Sequence, residues 1–187
     1  MAFIVGIDVD GASIRSAVDT PAPARNASFL IATATSLPFA NACFDVAICN
    51  HIYEHVSNAK IMMAEIRRVM RPGAVCYFAA GHTLQLIEPH HRLPFLSWLP
   101  RRVADTWMRL AGRGERYAEK FLPPWRLRSL FRGFAEARLV SPVMLREPQR
   151  YGFPAIAQLP AGLRLMVGKI AFPLALLAPT WIWLLRR

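Results

Sequence analysis

The chain has 187 residues, of which 54% are hydrophobic and only 19% are charged. This composition excludes a disordered or strongly acidic protein, and the length suffices for one domain with a sizeable core. Lysine and arginine outnumber aspartate and glutamate by 23 to 12, giving a net charge of +11. Since these cations are interleaved with aromatic residues and followed by an apolar tail, they favour an anionic membrane surface or an acidic substrate over a generically basic soluble surface. No nucleic-acid-binding motif accompanies the charge, so no nucleic-acid partner is expected.

The first 80 residues alternate apolar runs, which predict buried strands, with amphipathic segments, which predict helices. The predicted strands cover residues 2–7, 28–32, 45–49 and 75–80, and the predicted helices cover 12–18 and a segment that begins at Ser57. Pro72-Gly73 ends the second helix. This alternation is typical of an α/β fold with a doubly wound, mostly parallel sheet.

The pattern changes after Gly81. Residues 82–100 are rich in proline, histidine and aromatic residues and have no clear period. Two amphipathic helices are predicted beyond them, over 102–110 and 124–131, and residues 135–143 predict a returning strand.

The last segment, 163–187, is apolar and flanked by basic residues. Residues 170–185 carry no charge, but Pro173 and Pro179 interrupt them, and these sixteen residues fall short of the roughly 20 that cross a bilayer. We interpret the segment as one that dips into a membrane interface. Packing against the domain's own surface and a true membrane span are the alternatives.

Polar residues follow two of the predicted strands. Asp8 comes directly after the first strand, where a carboxylate can accept hydrogen bonds from ribose hydroxyls, although an aspartate here is also common as a turn or helix-capping residue. Asn50 and His51 follow the third strand. Since ligands of open α/β sheets bind at the carboxyl ends of the strands, these residues predict the binding edge.

Several short motifs occur in a characteristic order over residues 4–78. They are Val5-Gly6-Ile7-Asp8, Leu37-Pro38-Phe39, Phe44-Asp45-Val46, Glu54-His55-Val56 and Arg68-Val69-Met70-Arg71-Pro72-Gly73. Each motif alone is weak, but the ordered set is similar to the class I S-adenosylmethionine-dependent methyltransferases, in the branch called the type 11 methyltransferase domain.

This resemblance implies S-adenosylmethionine as the cofactor and assigns roles around it. Asp8 would hold the ribose. Thr33, Ala34 and Leu37 would border the adenine, and Asn50 and His51 would lie beside the methionine part and the reacting methyl group.

The chain also departs from the family pattern. The family has a glycine-rich loop before the strand that ends at Asp8, but only seven residues precede Asp8 here. We therefore expect an N-terminally truncated domain whose sheet lacks its first strand and glycine-rich loop. Thr33 stands where the family commonly has an aspartate, and a neutral hydroxyl is the weaker acceptor.

The resemblance also divides the chain into four parts. They are a partial cofactor-binding core (1–81), a substrate-covering helical and aromatic insertion (82–134), a returning strand and loop (135–162) and the apolar tail (163–187). His51, His90 and His91 are the candidate catalytic residues, with His82 as a further possible base. A metal held by Glu88, His90 and His91 is disfavoured because adjacent histidines seldom point at one ion, so no metal is expected.

The leading hypothesis is therefore a methyltransferase that acts on a small or lipid-linked acceptor. The alternative is a non-catalytic remnant that binds membrane or a partner protein, and a nucleotide-sugar or NAD-dependent enzyme ranks lower.

Cys43, Cys49 and Cys76 form no CxxC pair and predict reduced core residues. The expected location is the cytoplasm, with peripheral attachment at the inner face of the membrane.

Overall fold

The protein has an α/β architecture, seen in a computed structural model that describes residues 3–20, 26–147, 149–150, 158–160, 162–163, 166, 169, 178 and 180–187. In chain order the strands are β1 (Ile4–Asp8), β2 (Ala27–Ile31), β3 (Phe44–Asn50), β4 (Met70–Ala80), β5 (Glu136–Leu139) and β6 (Trp181–Arg186). The helices are α1 (Gly11–Val18), α2 (Ala59–Val69), α3 (Arg101–Leu110), α4 (Pro124–Ser129) and α5 (Ser141–Arg146), with a 3₁₀ turn at Leu96–Trp98.

The described strands form two sheets. Strands β1 and β2 pair in parallel, and the other four are ordered β3-β4-β6-β5. Strand β3 is parallel to β4, whereas β6 runs antiparallel to both β4 and β5. The predicted α/β fold is thus confirmed, but the larger sheet is mixed in direction where a mostly parallel one was expected.

Within the described part of the chain, β1, β2, β3 and β5 are each paired along one edge only. Strand β1 pairs with β2 alone, and β3 pairs with β4 alone. Apolar side chains on both strands are open to solvent, with exposed fractions of 55% for Ile4, 62% for Val46 and 76% for Ile48. The predicted truncation is not tested by these observations and stays a prediction.

Helix α2 covers the larger sheet through one apolar face. Asn58 begins the helix by accepting hydrogen bonds from the backbone N–H groups of Lys60 and Ile61. The buried residues recur at helical spacing and are Met62, Met63, Ile66 and Val69. Met62, Met63 and Ile66 pack in one core with Phe78 and other inward residues of β4. This core includes side chains from before and after residue 81, and the predicted four-part division stays a prediction.

The cysteines are free thiols in or beside this core. Cys49 and Cys76 are buried, and burial raises the pKa of the Cys76 thiol to about 12 and raises that of Cys49 as well. Both thiols are therefore protonated at neutral pH and act as small apolar side chains.

The chain's last strand corrects the interpretation of the apolar tail. Of residues 170–185, the structure describes 178 and 180–185, and residues 181–186 form β6 with backbone partners on both sides. Trp181, Trp183 and Leu185 point into the core while Leu184 is exposed. A membrane-dipping segment is thus wrong for these residues, since their apolar face is covered by the domain itself. Among the described helices, none is long and apolar enough to cross a bilayer.

The returning strand is also shorter than predicted. Residues 135–143 were expected to be extended, but β5 ends at Leu139 and α5 begins at Ser141. Pro142 falls in the first turn of α5, where its missing N–H and fixed φ suit a helix start.

The two leucines of β6 give a test of its position. Leu185 is fully buried whereas Leu184 is 37% exposed. We expect Leu185→Ala to lower the free energy of unfolding by about 2–5 kcal/mol, because it leaves a cavity, and Leu184→Ala to lower it by roughly 1 kcal/mol or less. Urea unfolding of both variants measures the difference, and equal effects would show that this segment does not lie in the core.

Candidate functional site

The carboxyl ends of β1 and β2 bring Asp8 next to the start of the segment that holds Thr33. Asp8 lies opposite Ile31 in the strand register, and the N–H of Ala32 donates to the Asp8 carbonyl at 2.9 Å. One carboxylate oxygen of Asp8, Oδ1, accepts the N–H of Asp10 at 2.9 Å. Within the described residues Oδ2 accepts no hydrogen bond, so it is open to a ligand.

The neighbouring carboxylate has a structural task. Asp10 accepts hydrogen bonds from the N–H groups of Ala12 and Ser13 and so caps α1. The Ser13 hydroxyl, at 2.8 Å, is the main cause that lowers the pKa of Asp10. Of the two carboxylates after β1, Asp8 is therefore the one available for binding.

The loop after β2 is held by its own contacts and by α2. Thr33 and Thr35 share a hydroxyl hydrogen bond at 2.9 Å, and Ala34 packs against the main core. Leu37 donates its N–H to Glu65 at 2.8 Å, and its carbonyl accepts from Arg68 at 3.0 Å.

Arg68 fixes this loop further. It also donates to the carbonyl of Phe39 at 2.7 Å and to Oε1 of Glu65 at 2.7 Å. The hydrogen bond from Arg68 is the main cause that lowers the pKa of Glu65. The predicted adenine-bordering loop is thus tied to the helix that covers the larger sheet.

His51 follows β3 in a left-handed backbone conformation, with φ of 52°. Its N–H donates to the Ala79 carbonyl at 2.9 Å, which continues the ladder between β3 and β4. Its ring nitrogens contact Glu54 Oε1 at 3.1 Å and the Thr180 hydroxyl at 3.0 Å. The ring is therefore held at both nitrogens, whereas the preceding Asn50 is exposed.

Tyr53 connects three segments around His51. Its hydroxyl donates to the carbonyl of Gly81 at 2.8 Å and accepts the N–H of Leu122 at 3.1 Å. Burial raises the pKa of Tyr53, so the hydroxyl keeps its proton. A Cβ at Gly81 would lie 2.4 Å from the Phe121 ring, which explains the glycine at the end of β4.

His90 and His91 are oriented by carboxylates. Glu88 is fully buried; its Oε1 lies 2.7 Å from Nδ1 of His90, and its Oε2 accepts the N–H of His91 at 2.6 Å. His91 Nε2 lies 3.2 Å from Glu119. Burial acts to raise the pKa of Glu119, but hydrogen bonds from its own backbone and from His91 lower it on balance.

His82 is a structural histidine. It is fully buried, its Nδ1 accepts the N–H of Leu84 at 3.1 Å, and its Nε2 lies 2.9 Å from the Ala178 carbonyl. An acceptor at Nδ1 places the proton on Nε2, which donates to Ala178. Burial lowers the pKa of His82 from 6.5 to about 4, so the ring is neutral and enclosed at neutral pH. These contacts do not support the interpretation of His82 as a base for an external substrate.

The predicted site residues fall into two groups. Asp8, Thr33 and Ala34 follow the strands of the smaller sheet, and Leu37 belongs to the loop that packs on α2. Asn50, His51, His90 and His91 lie around the carboxyl ends of β3 and β4, joined through Glu54 and Glu88. Their catalytic and cofactor-binding roles stay predictions.

The carboxylates that orient these histidines are only partly evident from the sequence. Glu54 occurs within a family motif, Glu88 is a candidate there only for a disfavoured metal site, and no sequence pattern points to Glu119. The His91–Glu119 pair spans 28 residues and is formed only by the tertiary fold. The contacts of Glu54 with His51 and of Glu88 with His90 and His91 have spacings short enough to suggest them in advance.

Comparisons with known proteins support the resemblance. Residues 1–78 match the model of a methyltransferase domain family. Together with the solved structures described next, this match confirms the predicted similarity to class I S-adenosylmethionine-dependent methyltransferases. A search of curated protein sequences found no match.

Solved structures of similar fold cover most of the chain. A methyltransferase from Mesorhizobium loti is 14% identical with a TM-score of 0.58, covering 99% of this chain and 80% of its own. The [4+2]-cyclase SpnF is 18% identical with a TM-score of 0.56, covering 99% and 66%. A Thermotoga maritima methyltransferase, a possible histamine N-methyltransferase, is 16% identical with a TM-score of 0.52, covering 72% and 56%. The chain thus spans less than two thirds of the length of SpnF and of the Thermotoga maritima protein. At these low identities, the similarity to the solved structures shows the fold.

The lowered pKa of His82 predicts a loss of stability in acid. Between pH 6.5 and 4 the unfolded chain binds a proton at His82 that the folded chain does not. The contribution of neutral His82 to the free energy of unfolding is therefore complete above pH 6.5 and is lost as the pH falls to 4. At pH 4.5 the loss is roughly 2–3 kcal/mol.

His82→Asn removes the titrating ring and keeps an acceptor for Leu84. We expect this variant to be less stable than the parent at pH 7 but to lose less stability between pH 7 and 4.5. Urea unfolding at both pH values measures the two losses. Equal losses in parent and variant would contradict the assignment.

Proposed function

We propose, starting from the methyltransferase domain matched by residues 1–78, that this chain binds S-adenosylmethionine and transfers its methyl group to a small or lipid-linked acceptor. The observation that carries the proposal is the ordered set of family motifs. In the fold, Phe44-Asp45-Val46 and Arg68-Val69-Met70-Arg71-Pro72-Gly73 lie at the starts of β3 and β4. Two other motifs lie at carboxyl ends of strands, with Asp8 as the last residue of β1 and Glu54-His55-Val56 in the turn after β3. Ligands of open α/β sheets bind at this edge.

The residues at this edge fit the adenosine part of the cofactor. Asp8 has one carboxylate oxygen with no partner among the described residues, as a group that accepts ribose hydroxyls requires. The loop at Leu37 presents an apolar side chain on a backbone fixed by Arg68. Thr33 offers only a hydroxyl, which already contacts Thr35.

At the other end of the cofactor, Asn50 and His51 are the candidates. Asn50 is exposed at the end of β3 and has an amide that donates and accepts hydrogen bonds. When bound, the cofactor supplies a methyl group attached to a positively charged sulfur. His51 is fixed between Glu54 and Thr180 and therefore serves to shape this wall of the site.

His90 and His91 are the residues that we assign to the acceptor side. The Glu88 carboxylate holds His90 through Nδ1, which leaves Nε2 to take a proton from an acceptor hydroxyl or amine. His91 contacts Glu119 instead. Transfer to a methyl acceptor depends largely on alignment and removal of water, so a single general base contributes only part of the rate.

Asp8 gives the first test. Isothermal titration calorimetry of the full chain with S-adenosylhomocysteine should show saturable binding, and Asp8→Asn should weaken it about 10- to 100-fold because a charge-assisted hydrogen bond is lost. Asp19→Asn is the matched control, since Asp19 is an exposed aspartate at the far end of α1. We expect this control to bind as the parent does.

Two results would count against the proposal. Absence of saturable binding to the folded parent chain would favour the alternative of a non-catalytic methyltransferase remnant. Equal affinities of Asp8→Asn and the parent would remove Asp8 from the cofactor site.

We also propose that the chain is cytoplasmic and binds peripherally to the anionic surface at the inner face of the membrane. Helix α4 carries Trp125, which is 69% exposed, beside the exposed cations Arg126 and Arg128. Exposed tryptophan with neighbouring arginines suits the boundary between lipid headgroups and acyl chains. Leu110, at the end of α3, is 77% exposed and follows Arg109.

Vesicle sedimentation tests this second proposal. The full chain should sediment with phosphatidylglycerol vesicles, bind less in high salt, and bind phosphatidylcholine vesicles weakly. Trp125→Ser should reduce binding. Val18→Ser, which removes an exposed apolar side chain from α1, should not. Equal binding to both lipids, or no effect of Trp125→Ser, would contradict a docking role for α4.

A further inference from the structure

Three potential metal ligands from two separate segments meet near the carboxyl ends of β3 and β4. Glu54 and His55 belong to the turn after β3, and His90 belongs to the loop after β4. One ligand atom from each lies within 4.8 Å of the other two. The sequence analysis expected no metal, and the grouping of Glu54 and His55 with a histidine 35 residues later is produced only by the fold.

The carboxylate of Glu54 provides the first of two observations that point to a bound cation. Its side chain is fully buried, and Oε1 lies 3.1 Å from Nδ1 of His51. Its second oxygen, Oε2, is buried and has no hydrogen-bond partner among the residues that the structure describes. A carboxylate oxygen without a partner in a protein interior is costly, whereas a bound cation satisfies it.

The second observation is that a buried carboxylate orients the His90 ring. Its Nδ1 lies 2.7 Å from the buried carboxylate of Glu88. A histidine that binds a metal usually donates its other ring N–H to a carboxylate or carbonyl, which fixes the ring and its tautomer. Glu88 therefore orients His90 so that Nε2 is left as the ligand atom.

His55 completes the group. Its side chain makes no hydrogen bond with the part of the chain that the structure describes, and its ring centre lies 5.1 Å from that of His90. Two imidazoles on one tetrahedral ion, with Zn–N distances of about 2.0–2.1 Å, have their ring centres about 5 Å apart. The two rings are thus already at the separation that a shared ion requires.

We propose that Glu54, His55 and His90 form a binding site for a divalent transition metal, with Zn²⁺ as the favoured ion. Two imidazole nitrogens and one carboxylate oxygen suit zinc better than magnesium or calcium, which prefer all-oxygen sites. Three protein ligands leave a fourth position open. His55 and His90 are exposed, so this position faces solvent and takes water or an oxygen of a small molecule.

The experiment uses the untagged full chain, stripped of metal with a chelator. Titration with Co²⁺ should give the visible absorption of a four- or five-coordinate ion without a thiolate band, and Zn²⁺ should displace it at one equivalent per chain. His55→Ala and His90→Ala should each lower zinc affinity by more than about 100-fold, and Glu88→Gln by about 10- to 100-fold.

Two matched controls separate this site from other donors. His91→Ala removes the adjacent histidine, which contacts Glu119, and Cys43→Ser removes the least buried thiol. Both should bind zinc as the parent does. Circular dichroism checks the fold of each variant, and His55→Ala decides the test if His90→Ala unfolds, because His55 is exposed and makes no hydrogen bond within the described residues.

Three outcomes would overturn the proposal. They are no zinc binding by the folded, stripped chain, parent-like affinity in folded His55→Ala, and loss of binding in Cys43→Ser or His91→Ala. A higher affinity for Fe²⁺ or Mn²⁺ than for Zn²⁺ would overturn the assignment of the ion. Because metal binding is measured without S-adenosylmethionine, its failure and that of the proposed methyl transfer are distinguishable.

Discussion

The buried strand β4 is the constraint on which the rest of the structure depends. It pairs with β3 along one edge and with β6 along the other, and Cys76, Phe78 and Ala80 are fully enclosed. Its carboxyl end receives the N–H of His51 and the hydroxyl of Tyr53. The candidate acceptor side is therefore attached to a buried strand that is paired along both edges, which suits a site that must hold reacting groups in position.

Around that strand end, carboxylates rather than the backbone set the positions of the histidines. Glu54 contacts His51, and buried Glu88 contacts both His90 and His91. An ionised carboxylate is an acceptor only, so the contacts at Nδ1 of His51 and of His90 select the ring nitrogen that carries the proton and leave the other one defined. The contact of Glu88 with Nδ1 of His90 would thus leave Nε2 either to accept a proton in methyl transfer or to bind a metal ion, and its one lone pair would do only one of these at a time.

Much of the front half of the fold was predictable from sequence, because β1, β2, β3, α2 and β4 follow simple hydrophobic periods within single segments. The strand identity of β6 was not, since Trp181–Arg186 is short, apolar and joined to a proline-containing run, and only its antiparallel pairing with β4 and β5 makes it a strand. The different roles of Asp8 and Asp10 could be assigned only from the structure, which shows that Asp10 caps α1. The meeting of Glu54 with His90 depends on tertiary contacts that no spacing encodes.

The position of β6 also has a consequence for how the chain acquires its fold. This strand joins β4 to β5, yet it follows every other described element along the chain. Its partners at 75–80 are separated from it by more than a hundred residues, so closing the sheet entails the entropic cost of a very long loop. Until residues 181–186 pair with β4, the backbone N–H and C=O groups along that edge of the strand lack their partner, and an unpaired strand edge of this kind is a template for aggregation.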